Sequence, residues 1–117
     1  MKRVKIWHNP RCSKSREAMN ILEENNCEVE VIKYLDTHPT IQEIEGILKL
    51  LELSPREMMR TKEDIYKELH LKDEQSDTKL IEMMATHSKL IERPILIKGD
   101  KAIIGRPTSK IAEFLNS

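Results

Sequence analysis

Val4-Lys5-Ile6-Trp7-His8-Asn9-Pro10-Arg11-Cys12-Ser13-Lys14-Ser15-Arg16 is the stretch on which the fold turns. Val4 to Trp7 is a short apolar-rich run, and Asn9-Pro10 stops it, so it reads as a first strand. From Ser13 to about Asn26 the spacing becomes helical, with Ala18, Met19, Ile21 and Leu22 on the inner face and Asn25-Asn26 as the end. Glu28 to Tyr34 then alternates, Val29, Val31 and Lys33 against Glu30, Ile32 and Tyr34, which predicts a second strand. Strand, helix and strand in that order make a right-handed β-α-β unit with parallel strands. Cys12 therefore falls in the first β→α turn, at the carboxyl end of the strands, where α/β sheets bind ligands.

That position favours the thiolate. A helix N-terminus carries partial positive charge, and Arg11, Lys14 and Arg16 crowd the same turn. The hydroxyl of Ser15 is expected to donate to the sulfur, and His8, as an imidazolium, to help hold an anion. The alternative is a small buried cysteine near a strand end, ringed by solvated charges. Cys27 offers no internal disulfide, because the intervening helix at ~1.5 Å per residue separates the two thiols by roughly 20 Å. A disulfide requires Cα atoms within about 7 Å. Position 15 is serine, so no C-x-x-C pair exists, and any resolving thiol has to come from another molecule. A phosphatase-type loop fails as well, since residue 18 is alanine where an arginine would be needed. No zinc site is expected: His38 and His70 read as surface residues and His87 as structural.

The chain continues with a turn at Asp36 to Pro39 and a capping box from Thr40 to Glu43. A helix runs from there through about Leu53, with Ile41, Ile44, Leu48 and Leu51 on its inner face. Ser54-Pro55-Arg56-Glu57 opens a short helix and Glu63 to Leu69 forms another. Ser76 or Asp77 caps a third, whose inner face is Leu80, Ile81, Met83 and Met84. Residues 40–88 thus read as a compact helical insertion. Ile95 to Lys98 and Lys101 to Ile104 form a hairpin about Gly99-Asp100, and a last helix buries Ile111, Phe114 and Leu115. The order is β-α-β, helical insertion, then β-β-α: an α/β chain with a mixed four-stranded sheet flanked by helices. It matches a thioredoxin-like fold in one domain, 1–117. That fold places a proline before the third strand opposite the cysteine, so the Arg93–Pro94 bond is expected to be cis. Arg93 and Arg106 flank the hairpin at sites facing the first β→α turn, and Arg60 ends a short insertion helix. Arginine forks suit a tetrahedral oxyanion, and the three converging on one thiolate would form a site.

Composition narrows the classes further. The 117 residues carry 20 Lys+Arg and 20 Asp+Glu, a formal net charge of zero, which argues against a general nucleic-acid binder. One Trp, two Tyr and one Phe leave an aliphatic core and no stacking platform for bases. No apolar run approaches the ~18–20 residues that span a bilayer, and the basic start has no long apolar region, so neither membrane insertion nor a secretory leader is expected. Two cysteines are too few for a disulfide scaffold, which points to the cytoplasm with thiols reduced.

Four fragments in order carry a resemblance: His8-Asn9-Pro10-x-Cys12-x-x-Ser15-Arg16, Leu53-Ser54-Pro55-Arg56 to Arg60, Glu92-Arg93-Pro94-Ile95, and Gly105-Arg106-Pro107. Over nearly its whole length the chain resembles the glutaredoxin-dependent arsenate reductase family. The resemblance implies that Cys12 is the catalytic nucleophile and that Arg60, Arg93 and Arg106 bind arsenate and stabilise the thiolate. It gives His8 and Ser15 supporting roles in keeping Cys12 ionised. It further implies glutathione as co-substrate, glutaredoxin as the protein that resolves the mixed disulfide, no bound cofactor or metal, and a role in arsenic detoxification. A monomer is expected. Positions 11, 13 and 14 carry Arg, Ser and Lys where family members differ. Two alternatives share the fold. A glutathione-linked thiol-disulfide reductase would need no arginine set. A regulator similar to Spx, which binds RNA polymerase and senses oxidation, would use a C-x-x-C switch that Cys12-Ser13-Lys14-Ser15 cannot form.

Overall fold

The structure is a computed structural model that describes residues 2–116. The chain divides into two compact units, residues 1–34 with 93–117, and residues 35–92. The first contains the whole sheet, β1 (Arg3–Trp7), β2 (Glu28–Ile32), β3 (Ile95–Lys98) and β4 (Lys101–Ile104), in the order β2-β1-β3-β4. β1 runs parallel to β2 in the register Val4↔Val29 to Trp7↔Ile32, and antiparallel to β3, with Trp7 opposite Ile95. β3 and β4 form the hairpin, turning at Gly99 with φ of 62°, a conformation that glycine adopts without a steric penalty. The expected α/β class, element order and mixed sheet are all present, and the fold is thioredoxin-like.

Helices α1 (Ser13–Glu24) and α6 (Ser109–Leu115) close one face of the sheet. Ala18 and Leu22 of α1 and Ile111, Phe114 and Leu115 of α6 pack on Val4, Ile6 and Leu96, and all eight are buried. The first helix is amphipathic for this reason: its apolar residues recur at the spacing that turns them toward β1. One strand expectation shifts. The second strand stops at Ile32, and the chain turns into a single helical turn, α2 (Tyr34–Thr37), as Tyr34 stacks its buried ring on Trp7 at 6.2 Å. Val31 is 40% exposed on β2, which lies at the edge of the sheet.

The second unit is helical: α3 (Ile41–Leu51), α4 (Asp64–Glu68) and α5 (Asp77–Thr86), joined by 3-10 turns at Pro55–Met58, Leu71–Asp73 and Ser88–Leu90. It begins and ends several residues outside the expected 40–88. The capping box of α3 is complete, with Glu43 N–H donating to Thr40 Oγ1 at 3.1 Å and Thr40 N–H donating to Glu43 Oε1 at 3.1 Å. Ile41, expected on the inner face, is 39% exposed, and Ile47 is buried with Ile44 and Leu48 instead. Arg56 is the tie of this unit. Its guanidinium donates to the Tyr66 hydroxyl, the Leu71 carbonyl and the Glu74 carbonyl.

Candidate active site around Cys12

The turn between β1 and α1 is closed by its own polar groups. His8 N–H donates to the Ile32 carbonyl at 2.9 Å, one residue beyond the β1–β2 ladder. Asn9 organises the rest of the turn. Its side-chain oxygen accepts from Arg11 N–H at 3.0 Å, its carbonyl accepts from Cys12 N–H at 3.0 Å, and its own N–H donates to Ser15 Oγ at 3.2 Å. Arg16 donates from Nη1 to the Pro10 carbonyl at 3.0 Å. Arg16 N–H makes the first helical bond, to the Cys12 carbonyl at 3.0 Å, so Cys12 is the N-cap of α1, with extended φ and ψ of −96° and 124°. Sequence alone marks Asn9 only as a strand stop. Its signal for this larger role is its place two residues ahead of a backbone N–H that an Asn side chain can cap.

The sulfur lies half-buried at the helix N-terminus. Burial is the largest influence on it and opposes ionisation. The backbone N–H groups of Ser15 and Lys14, and after them the charge and hydrogen bond of Arg93, act the other way and win, so the Cys12 thiol ionises below the ordinary cysteine range. No side-chain oxygen caps the helix, and the first-turn N–H groups of Lys14 and Ser15 serve the sulfur instead.

Arg93 reaches the site through the sheet. Continuing the β1–β3 register past Trp7↔Ile95 brings His8 and Asn9 alongside Pro94 and Arg93. The Arg93–Pro94 bond is cis, as expected, and so is Arg106–Pro107, for which the sequence carried no such expectation. Gly105 N–H donates to the Pro94 carbonyl at 2.9 Å and extends the β3–β4 pairing by one residue, so Arg106 leaves the hairpin at the same end as Arg93. Both arginines are half-buried.

Two expectations change, and Arg60 has ion-pair partners that the sequence reading did not name. Ser15 is wholly buried, and its hydroxyl accepts from Asn9 N–H; the group that serves the sulfur is its backbone N–H. His8 is 8% exposed, and its pKa lies below the usual histidine value, first through burial and then through the positive charges of Lys33 and Arg16. It is neutral near pH 7 and does not bring the imidazolium charge expected of it. Arg60 lies in the second unit, where its guanidinium pairs with Glu63 at 3.3 Å and Glu92 at 4.0 Å. Its N–H donates to the Leu90 carbonyl at 2.7 Å, which pins it to the segment that leads in sequence to Arg93.

The fold and the turn define a class: a thioredoxin-like α/β protein with a single, ionisation-prone cysteine capping the first helix, and an arginine on the residue before the cis-proline. The chain belongs to the ArsC family, whose model matches residues 7–114. It is 48% identical over 117 residues to an arsenate reductase from Neisseria meningitidis, covering 98% of this chain and 100% of that protein. It is also 50% identical over 116 residues to the uncharacterized Escherichia coli protein YfgD, covering 97% and 98% of the two chains. Among solved structures, an arsenate reductase from Vibrio cholerae matches with a TM-score of 0.94 at 47% identity, over 97% of this chain and 98% of that one. No helix among the described residues is long and apolar enough to cross a membrane.

Proposed function

We propose that this chain reduces arsenate to arsenite, with Cys12 as nucleophile and with glutathione and glutaredoxin as external thiol donors. The Cys12 thiolate attacks arsenic, a sulfur–arsenic bond forms, and an arsenic oxygen leaves as water after taking up protons. Glutathione thiolate then attacks the Cys12 sulfur. The electron pair of the sulfur–arsenic bond stays on arsenic, which departs as arsenite, and a Cys12–glutathione disulfide remains. Glutaredoxin takes the glutathione and returns Cys12 to its thiolate. In this reading Arg93 and Arg106 hold oxyanion charge, and Arg60 is the third arginine that the family resemblance assigns to arsenate. Ser15 and Lys14 stabilise the thiolate through their backbone N–H groups, while neutral His8 shapes the turn.

The observation that carries the proposal is Arg93 acting on the half-buried Cys12 sulfur at a helix N-terminus. That pairing supplies an activated nucleophile and an oxyanion partner at one place. The family membership and the arsenate reductases among its relatives support the choice of arsenate. The test is arsenate-dependent NADPH consumption with glutathione, glutaredoxin and glutathione reductase. Activity should vanish in Cys12→Ser and fall about a hundredfold or more in Arg93→Ala, the usual scale for removing one positioned oxyanion donor. An intact protein that turns over no arsenate in this assay rules the reading out.

One observation favours a second reading. Arg60 is already engaged by Glu63 and Glu92, and a glutathione-linked thiol-disulfide reductase would not require it. Turnover of a glutathione mixed disulfide, unaffected by Arg60→Ala and unaccompanied by arsenate reduction, would select that reading.

A further inference from the structure

The net charge of zero conceals a division. The first unit carries twelve Lys and Arg against seven Asp and Glu, and the second carries eight against thirteen. Six of those twelve cations lie at the Cys12 end of the sheet. Arg11, Lys14 and Arg16 are exposed on the turn and the first turn of α1, and Lys33 comes directly after the strand whose Ile32 carbonyl receives His8 N–H. The positive charges of Lys33 and Arg16 both disfavour protonation of the His8 ring. Arg93 and Arg106 stand behind, half-buried. Glu17 is the acidic residue in this stretch, and it pairs with Lys14 at 3.7 Å. The cations therefore form two tiers. A small oxyanion close to the sulfur meets the inner arginines, whereas a larger anion that brings its own thiol to the sulfur meets the outer rim first.

We propose that Arg11 and Arg16, with Lys14 and Lys33 beside them, form the docking surface for a carboxylate-bearing thiol of the glutathione class. The carboxylates rest on this rim while the sulfur reaches Cys12. The proposal rests on the reading of Cys12 as a nucleophile. Isolated surface charges contribute little, but a one-signed rim around a half-buried group concentrates oppositely charged reactants and raises encounter rates. Arg11 suits the role because only its backbone N–H is used by the turn, through Asn9 Oδ1, so no turn bond holds its side chain.

The test uses the full-length Cys27→Ser protein, with Cys12 converted to its mixed disulfide with thionitrobenzoate. Glutathione thiolate attacks the Cys12 sulfur, the existing sulfur–sulfur bond breaks, and thionitrobenzoate leaves as a coloured thiolate. One disulfide replaces another, with no other electron donor. The comparison is glutathione against its diethyl ester, the same thiol with both carboxylates masked. Glutathione should react about tenfold faster at low ionic strength, a modest case of steered encounter. The two rates should converge near 1 M salt, where the Debye length is about 3 Å. Arg11→Glu should slow glutathione several-fold and leave the ester no slower, and Arg11→Ala should fall between. Equal rates for the two thiols, a preference insensitive to salt, or an unchanged preference in Arg11→Glu overturns the proposal. Failure of Cys12 to form the adduct overturns both the proposal and the nucleophile reading. A preserved glutathione preference without arsenate turnover overturns the choice of arsenate alone.

Discussion

Cys12 draws its acidity from two kinds of group, and single substitutions separate them. The backbone N–H groups of Ser15 and Lys14 survive any side-chain change, whereas Arg93 does not. The pH dependence of Cys12 alkylation should therefore show a midpoint below the ~8.5 of a free thiol. Arg93→Ala should move it upward without restoring the free value. Ser15→Ala should behave differently. It removes the acceptor for Asn9 N–H at a wholly buried site, so it should lower stability by about 1–3 kcal/mol while leaving the alkylation midpoint nearly unchanged. A large midpoint shift in Ser15→Ala would restore the hydroxyl-to-sulfur bond that the sequence suggested. His8 gives a pH prediction. Its folded pKa lies below its unfolded one, so the unfolded chain binds the extra proton. Stability should decline as pH falls from about 6.5 toward the folded value, and His8→Gln should flatten that slope in urea unfolding between about pH 7 and 5.

The hairpin is the element that sets where the arginines stand. Gly105 lies where a Cβ would meet Leu96 Cδ1 at 2.9 Å, Pro94 Cγ at 3.1 Å and Ile111 Cδ1 at 3.2 Å. All three residues are buried and have little room to yield, so Gly105→Ala should cost about 1–3 kcal/mol, measured by denaturant unfolding. It should also shift Arg106 and reduce activity. In the helical unit, Arg56→Ala should cost at least about 2 kcal/mol, since it frees a buried hydroxyl and two carbonyls. Amide exchange should rise first across residues 64–74. Most elements were legible because their signals are local: the Thr40–Glu43 box, the Gly99-Asp100 turn and the alternation around Val29. The end of β2 was not, because Tyr34 answers to the ring of Trp7, far from it in sequence. The role of Ser15 was half legible, since its position was right but the functional atom was on the backbone.

At the scale of the whole molecule, position in the sheet explains why Arg93 could be chosen from sequence. Element order puts β3 beside β1, and register then carries a residue before Pro94 to the turn after Trp7. Arg60 could not be placed that way: Glu63 stands three residues from it, but nothing in its local spacing announces Glu92 as a second partner. The split in charge between the units was equally hidden, since a total of zero contains no information about its distribution. It predicts that Cys12 reacts relatively faster with anionic iodoacetate than with neutral iodoacetamide, compared with free cysteine at matched thiolate fraction. That bias should fade with added salt. A bias equal to that of free cysteine would mean the field does not reach the sulfur.

The first unit is assembled from both ends of the chain, with residues 35–92 lying between its halves in sequence. During synthesis, β1, α1 and β2 leave the ribosome long before Arg93 exists, so in that interval the cysteine lacks the arginine's share of its activation. Full activation waits for the return of the chain and the docking of β3, which makes full reactivity a mark of completed folding. Nascent chains stalled before residue 93 should alkylate at a higher midpoint than the finished protein.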